Sequence, residues 1–202
     1  MKQAASGIFK SALAAAAITL SGTTLSAQTG DATDSPLTGL STGEVISPDD
    51  ADGDSYVGNT HGDWELVCVR MTDEPDPCQM YQLLRDAEGN ATAEITIFPL
   101  PPGGEAVAGA TILTPLETLL TAQLVKQVDG GAAKRYPFTF CTAIGCIARV
   151  GFTAEEVDSF RRGARATWAL VPVAAPDQVV NLDMSLIGFT AAFTELTEQL
   201  EN

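Results

Sequence analysis

The sequence predicts a mainly β domain: an antiparallel β-sandwich or barrel-like body with one short internal helix, a C-terminal helix and two disulfides. Three observations predict it. Short segments beyond residue 60 alternate apolar and polar residues, turn formers separate them, and four cysteines fall in two close pairs.

The N-terminus sets the compartment. Lys2 and Lys10 precede a short apolar run, Ser11 to Leu20, and small residues follow to Ala27. That order is a secretory signal peptide over residues 1–27. The run is about half the length a bilayer core requires, so a transmembrane segment is not expected once the signal is removed. Cleavage takes Lys2 and Lys10 from the 11 basic residues and none of the 26 acids, which leaves a net charge of −17. Nucleic acid and bare anionic lipid should repel such a chain.

Residues 28–60 hold seven acids, no Lys or Arg, and many Gly, Ser, Thr and Pro. This composition buries too little apolar surface to offset ordering entropy, and it reads as a flexible acidic leader. Asp50, Asp52, Gly53 and Asp54 imitate the start of a calcium loop. Ser55 and His61 stand where an EF-hand wants glycine and a bidentate glutamate, so no metal site is assigned.

The folded domain is expected over residues 61–202. Strands are expected at Trp64 to Arg70, Cys78 to Leu84, Thr92 to Phe98, Ala106 to Leu113 and Gln123 to Val128. Asp129, Gly130 and Gly131 then turn into a strand with Tyr136, Phe138 and Phe140 on one face, and Pro137 points to a sheet edge or an early strand position. Ala164 to Leu170 and Gln178 to Leu186 complete the set, and Trp64 and Trp168 fall on inward phases. Pro99, Pro101 and Pro102 make a bend between strands.

Two segments are helical instead. Thr153 and Glu156 form a capping box, Val157 and Phe160 share a face, and Gly163 offers a left-handed stop. Phe189, Phe193, Leu196 and Leu200 recur at helical spacing, with Glu195, Glu198 and Glu201 turned outward. This last helix is expected to cover an open face of the sheet.

Cys68, Cys78, Cys141 and Cys146 permit three connectivities. Local pairing is favoured because turn formers lie inside both intervals: Asp73, Pro75 and Pro77 in one, Gly145 in the other. Each ring would contribute roughly 2 to 3 kcal/mol. The spacings fit neither a tetrahedral zinc site nor a C-x-x-C redox centre.

Catalytic side chains are scarce. His61 is the only histidine and reads as an exposed linker residue beside Gly62. Glu65, Glu94, Glu105 and Asp183 lie in or beside strands on outward phases, as solvated surface. No phosphate loop, dinucleotide fingerprint or haem motif occurs, so no catalytic residue and no cofactor are assigned.

From Gly62 to Leu196 the chain resembles the invasion-associated locus B family of alphaproteobacterial envelope proteins. The resemblance rests on Gly62-Asp63-Trp64 leading to Cys68 and Cys78, on Phe98-Pro99-Leu100, on Cys141 followed by Gly145-Cys146, and on Leu186-Ile187-Gly188-Phe189. It implies a periplasmic or secreted protein, compatible with peripheral outer-membrane association, linked in some pathogens to host-cell entry and without established enzymatic activity. Two readings follow. One is a non-catalytic envelope module that holds a protein, peptide or lipid ligand at a sheet edge or beside the short helix. The other is a periplasmic hydrolase or carbohydrate-active enzyme, whose paired carboxylates would face one cleft with at least one raised pKa.

Overall fold

The computed structural model describes residues 54–201. The signal segment 1–27, and the leader up to residue 53 with Asp50 and Asp52, lie outside the described residues.

Eleven strands form one antiparallel sheet: β1 Ser55–His61, β2 Trp64–Val69, β3 Cys78–Arg85, β4 Ala91–Pro99, β5 Ala106–Thr114, β6 Leu124–Val128, β7 Lys134–Tyr136, β8 Phe140–Thr142, β9 Gly145–Thr153, β10 Arg165–Leu170 and β11 Val180–Ser185. Two helices, α1 Ala154–Arg162 and α2 Phe189–Glu201, complete the body. The strand order is β7-β6-β10-β11-β3-β4-β5-β9-β8, and β1 and β2 branch off at β3. One edge of β3 therefore pairs with β2 from Cys78 to Tyr81 and with β11 at Arg85.

The first and last strands of that order, β7 and β8, are joined by residues 137–139 alone. So short a link spans at most about 14 Å, so the sheet must curl into a barrel-like shape. The continuous strand expected over Tyr136, Phe138 and Phe140 is thus two strands at opposite ends of the order, broken at Pro137, which has no N–H for a ladder.

β1 revises the leader boundary. Residues 55–60, expected in the flexible leader, pair instead with β2, Ser55 opposite Val69 and His61 opposite Trp64. The strand is mostly exposed, so burial left no alternation to read in it.

The inward residues give a continuous core that includes Trp64, Ile95, Ile112, Phe152, Phe160, Trp168 and Phe189. Edge-to-face contacts run Trp64–Phe189–Phe160–Phe152, with centroids 5.7, 5.3 and 5.0 Å apart, and Trp168 adjoins Phe152 at 6.4 Å. The aromatic chain ties both helices to the sheet, and each such pair adds about 0.5–1.5 kcal/mol beyond area burial. At α1 the capping box forms as read, Thr153 accepting from the Glu156 N–H. Gly163 is not left-handed: its φ is −80°. A Cβ there would stand 2.8 Å from both Leu186 Cδ1 and Val128 Cγ1, so a larger residue would need those side chains to shift.

Both disulfides join directly opposed strand residues, Cys68 to Cys78 across β2–β3 and Cys141 to Cys146 across β8–β9. Among the described residues no helix is long and apolar enough to cross a membrane.

Candidate functional site

Strand directions put both helices at one end of the sheet, since α1 follows β9 and α2 follows β11. At this end lies a groove of about 1020 Å³. Its floor is apolar, made of Leu66, Leu196, Phe98 and the Cys68–Cys78 disulfide, and its rim is polar, with Tyr56, Asp76, Gln79 and Gln199. Apolar concavity with a few placed polar groups is the usual form of a ligand site.

Each wall has a local cause. The Phe98 ring lies against Gly109, its β5 partner, where a Cβ would come within 2.5 Å of it. The loop after β2 is held by Tyr56, whose hydroxyl donates to Asp76 Oδ2 at 2.6 Å, and by the Met71 N–H, which donates to Asp76 Oδ1 at 2.8 Å. These bonds, the phenol's first, hold the Asp76 carboxyl below its usual range. Gly58 leaves room over the disulfide: a Cβ there would stand 3.1 Å from Cys68 Sγ.

The C-terminal helix forms the remaining wall. Phe189, Phe193 and Leu196 are buried as expected, but Leu200, the last member of the stripe, is exposed and lines the groove. Glu195, expected to face outward, is tied to β1: Asn59 Nδ2 donates to its Oε1 at 2.6 Å, and His61 Nε2 lies 2.6 Å from its Oε2. The bonds from Asn59 and then His61 lower its pKa. His61 is therefore part of the contact between β1 and α2, not an exposed linker residue.

A second recess of about 640 Å³ lies where the sheet forks, lined by Asp63, Glu65, Tyr81, Arg85, Arg165 and Asp183 among others. The buried Gln82 amide bridges the fork: it donates to the Asp63 and Ser185 carbonyls and accepts from the Ser185 N–H at 2.7 Å. Of the four acids read as solvated surface, Glu65 and Asp183 share this recess. Asp183 accepts from Arg165 at 3.1 Å.

The third cluster is buried. Lys126 Nζ donates to Glu156 Oε1 at 2.5 Å, the Tyr136 hydroxyl donates to the same oxygen, and Lys134 Nζ lies 3.1 Å from Oε2. Burial pushes Glu156 upward, yet the bonds from Lys126, Tyr136 and the Thr153 N–H outweigh it and hold the carboxyl at about 2. Burial raises the Tyr136 phenol and lowers the Lys126 amine. The Nζ also lies 4.7 Å from the Phe160 ring centre and 4.9 Å from that of Phe152. This cluster fixes α1 to β6 and β7, and the sequence signals only its capping role. The Asp86 carboxyl is likewise held below its usual range, first by the bond from the Asn90 amide. Among the described residues no three His, Cys, Asp or Glu side chains converge as metal ligands.

A model of the family described as Invasion associated locus B (IalB) protein matches residues 64–197. The chain belongs to the IalB family. An Invasion protein B homolog of Brucella abortus (strain 2308) is 26% identical over 144 residues, covering 71% of this chain and 81% of the relative. A homolog from Brucella abortus biovar 1 (strain 9-941) matches to the same extent. The crystal structure of invasion associated protein B from Bartonella henselae superposes with a TM-score of 0.61 at 23% identity, covering 71% of this chain and 96% of that one. That likeness establishes an IalB fold for the domain, with the groove, the fork and the buried cluster as features of this chain.

Proposed function

We propose that this IalB protein is an exported, non-catalytic envelope component that holds an extended segment of a partner protein in the groove between α2 and β1–β2. The carrying observation is the groove's construction: an apolar floor, a rim of phenol, amide and carboxylate groups, and walls fixed by a disulfide and the Tyr56–Asp76 bond. The groove lies beside the C-terminal helix and the edge strand β1, and the sequence suggested a sheet edge or the short internal helix. Export is supported by the signal-like N-terminus and by cysteines that pair within single hairpins. A part in host-cell invasion, which the names of the relatives suggest, would be exercised through this binding.

The test places a photo-crosslinking residue at position 200 in cells, with position 88 in the β3–β4 turn as control. The reading expects one discrete protein adduct from position 200, absent from position 88 and lost when Gly58→Phe fills the floor. Adducts from both positions alike, or indifference to Gly58→Phe, would reject it. Export is checked by mass spectrometry of the N-terminus, where an unprocessed Met1 with four free thiols in native material contradicts it.

A hydrolase is the second reading, favoured by one observation, the presence of Glu65 and Asp183 in the fork recess. It expects turnover of a glycoside or ester panel that Glu65→Gln abolishes. The ion pair to Arg165 favours the binding reading, because it gives Asp183 a structural partner in place of a substrate.

A further inference from the structure

Among the described residues, the end of the sheet opposite the helices carries most of the large apolar side chains that face solvent. Leu116, Leu120, Phe140, Ile144, Val173 and Val179 are 40–76% exposed and lie on or beside the loops 115–123 and 171–179 and the segment 137–144, which holds the β7–β8 link, β8 and the β8–β9 turn. Strand register brings these loops together. Thr114 pairs with Cys146, Leu170 with Val180, and Leu124 with Tyr136, so β5, β9, β10, β11, β6 and β7 all meet the loops at this end.

The loops are fixed in place. The Leu119 N–H donates to the Val171 carbonyl at 2.7 Å, and the Val173 N–H donates to the Glu117 carbonyl at 2.8 Å. Thr118 is buried beneath them, with its hydroxyl donating to the Pro115 carbonyl at 2.7 Å. The Cys141–Cys146 disulfide closes the turn that presents Ile144. Exposed aliphatic side chains on rigid turns keep their cost of contact with water and cannot fold away from it.

These loops are also poor in charge. They contain two charged residues, Glu117 and Asp177, in a protein otherwise rich in acids. Strand directions bring the β3–β4 turn, with Asp86 and Glu88, to the same end beside β4 and β5. Arg149 sits at the margin with its guanidinium 5.5 Å from the Phe140 ring centre, where a long cationic side chain can reach a lipid phosphate.

We infer that this loop end is a membrane-docking face, which inserts Leu116, Leu120, Ile144 and Val173 into the interface of a bilayer with zwitterionic headgroups. The surface is formed by loop tips, not by a cleft, which suits a planar apolar medium better than a small ligand. The acidity of the protein as a whole opposes anionic lipid, so apolar insertion supplies the attraction. With this face on the bilayer, the groove at the helix end points away from it. The inference rests on the export reading only for the presence of a bilayer in the cell.

The test is flotation of the purified full-length chain with phosphatidylcholine–phosphatidylethanolamine vesicles, beside Leu116→Ser/Leu120→Ser/Ile144→Ser. Both proteins share one N-terminus, so their difference reads the loops alone. The wild-type chain is expected to partition about tenfold or more above the variant, with little change in 0.5 M salt. Equal flotation of the two, or none by either, overturns the inference. A wild-type mass of two chains without vesicles, reverting to one in the variant, overturns it in favour of a second copy. Near-ultraviolet circular dichroism of the variant must match wild type, as the three side chains are exposed. Gly58→Phe, which fills the groove, leaves flotation unchanged, so failure of the groove reading is seen separately.

Discussion

Lys126 reaches from β6 into the core and meets Glu156 at 2.5 Å, with both side chains less than a tenth exposed. Glu156 is at the same time the capping-box partner of Thr153, so one carboxylate accepts the Thr153 N–H at the start of α1 and neutralises a buried amine. Removing Glu156 leaves the buried amine without its counter-ion, and removing Lys126 leaves Glu156 with the half-exposed Lys134 as its remaining ion partner, at up to about 3–5 kcal/mol. Lys126→Met and Glu156→Gln are therefore each expected to lower the urea midpoint strongly. The double variant should recover part of the loss, and additive losses in a double-mutant cycle would show that the pair is not coupled.

The same carboxylate predicts an acid transition. Its pKa is held at about 2 in the fold, below the ordinary value of 4.5. A group lowered on folding stabilises fully above its unfolded pKa and loses that contribution as pH falls through the folded one. Stability should hold above about pH 5 and drop by on the order of 3 kcal/mol between there and pH 2. Urea titrations at several pH values measure this, and Glu156→Gln should flatten the decline.

Gly62 and Gly188 meet where the chain enters β2 and leaves β11. A Cβ on Gly188, at φ +88°, would lie 1.9 Å from the His61 carbonyl oxygen. Gly89 has a similar φ of +85° with nothing within 4 Å. Gly89→Ala should therefore cost only the left-handed strain, about 1–2 kcal/mol, and Gly188→Ala about 3 kcal/mol or more. Chemical denaturation of both separates conformational strain from collision, and equal losses would show the collision relaxes.

The disulfides close sequence separations of 10 and 5 residues. Loop entropy assigns about 3 kcal/mol to Cys68–Cys78 and about 2 kcal/mol to Cys141–Cys146. Paired Cys→Ala variants, compared by guanidinium denaturation, should follow that order. Loss of the first should also loosen the groove floor and abolish the crosslink from position 200, whereas loss of the second should leave that crosslink intact.

Half-buried strands such as β4 and β11, the capped helix α1 and the local cysteine pairs were legible because each depends on neighbours within a few residues. β1 was not, since pairing with β2 holds it and its side chains remain in water. Glu156 showed only its capping role, because its meeting with Lys126, 30 residues away, is set by tertiary packing. His61 and Glu195, 134 residues apart, escaped notice for the same reason. The groove needs β1, β2, β4, the loop after β2 and α2 together, and no local spacing encodes such a convergence.

The three-residue link between β7 and β8 constrains the order in which the molecule can assemble. Neighbours in sequence occupy opposite margins of the sheet, so this segment can settle only after the intervening strands have taken their places. It should act as a late-fastening seam, with Tyr136 pinned on one side by Glu156 and Cys141 on the other by Cys146.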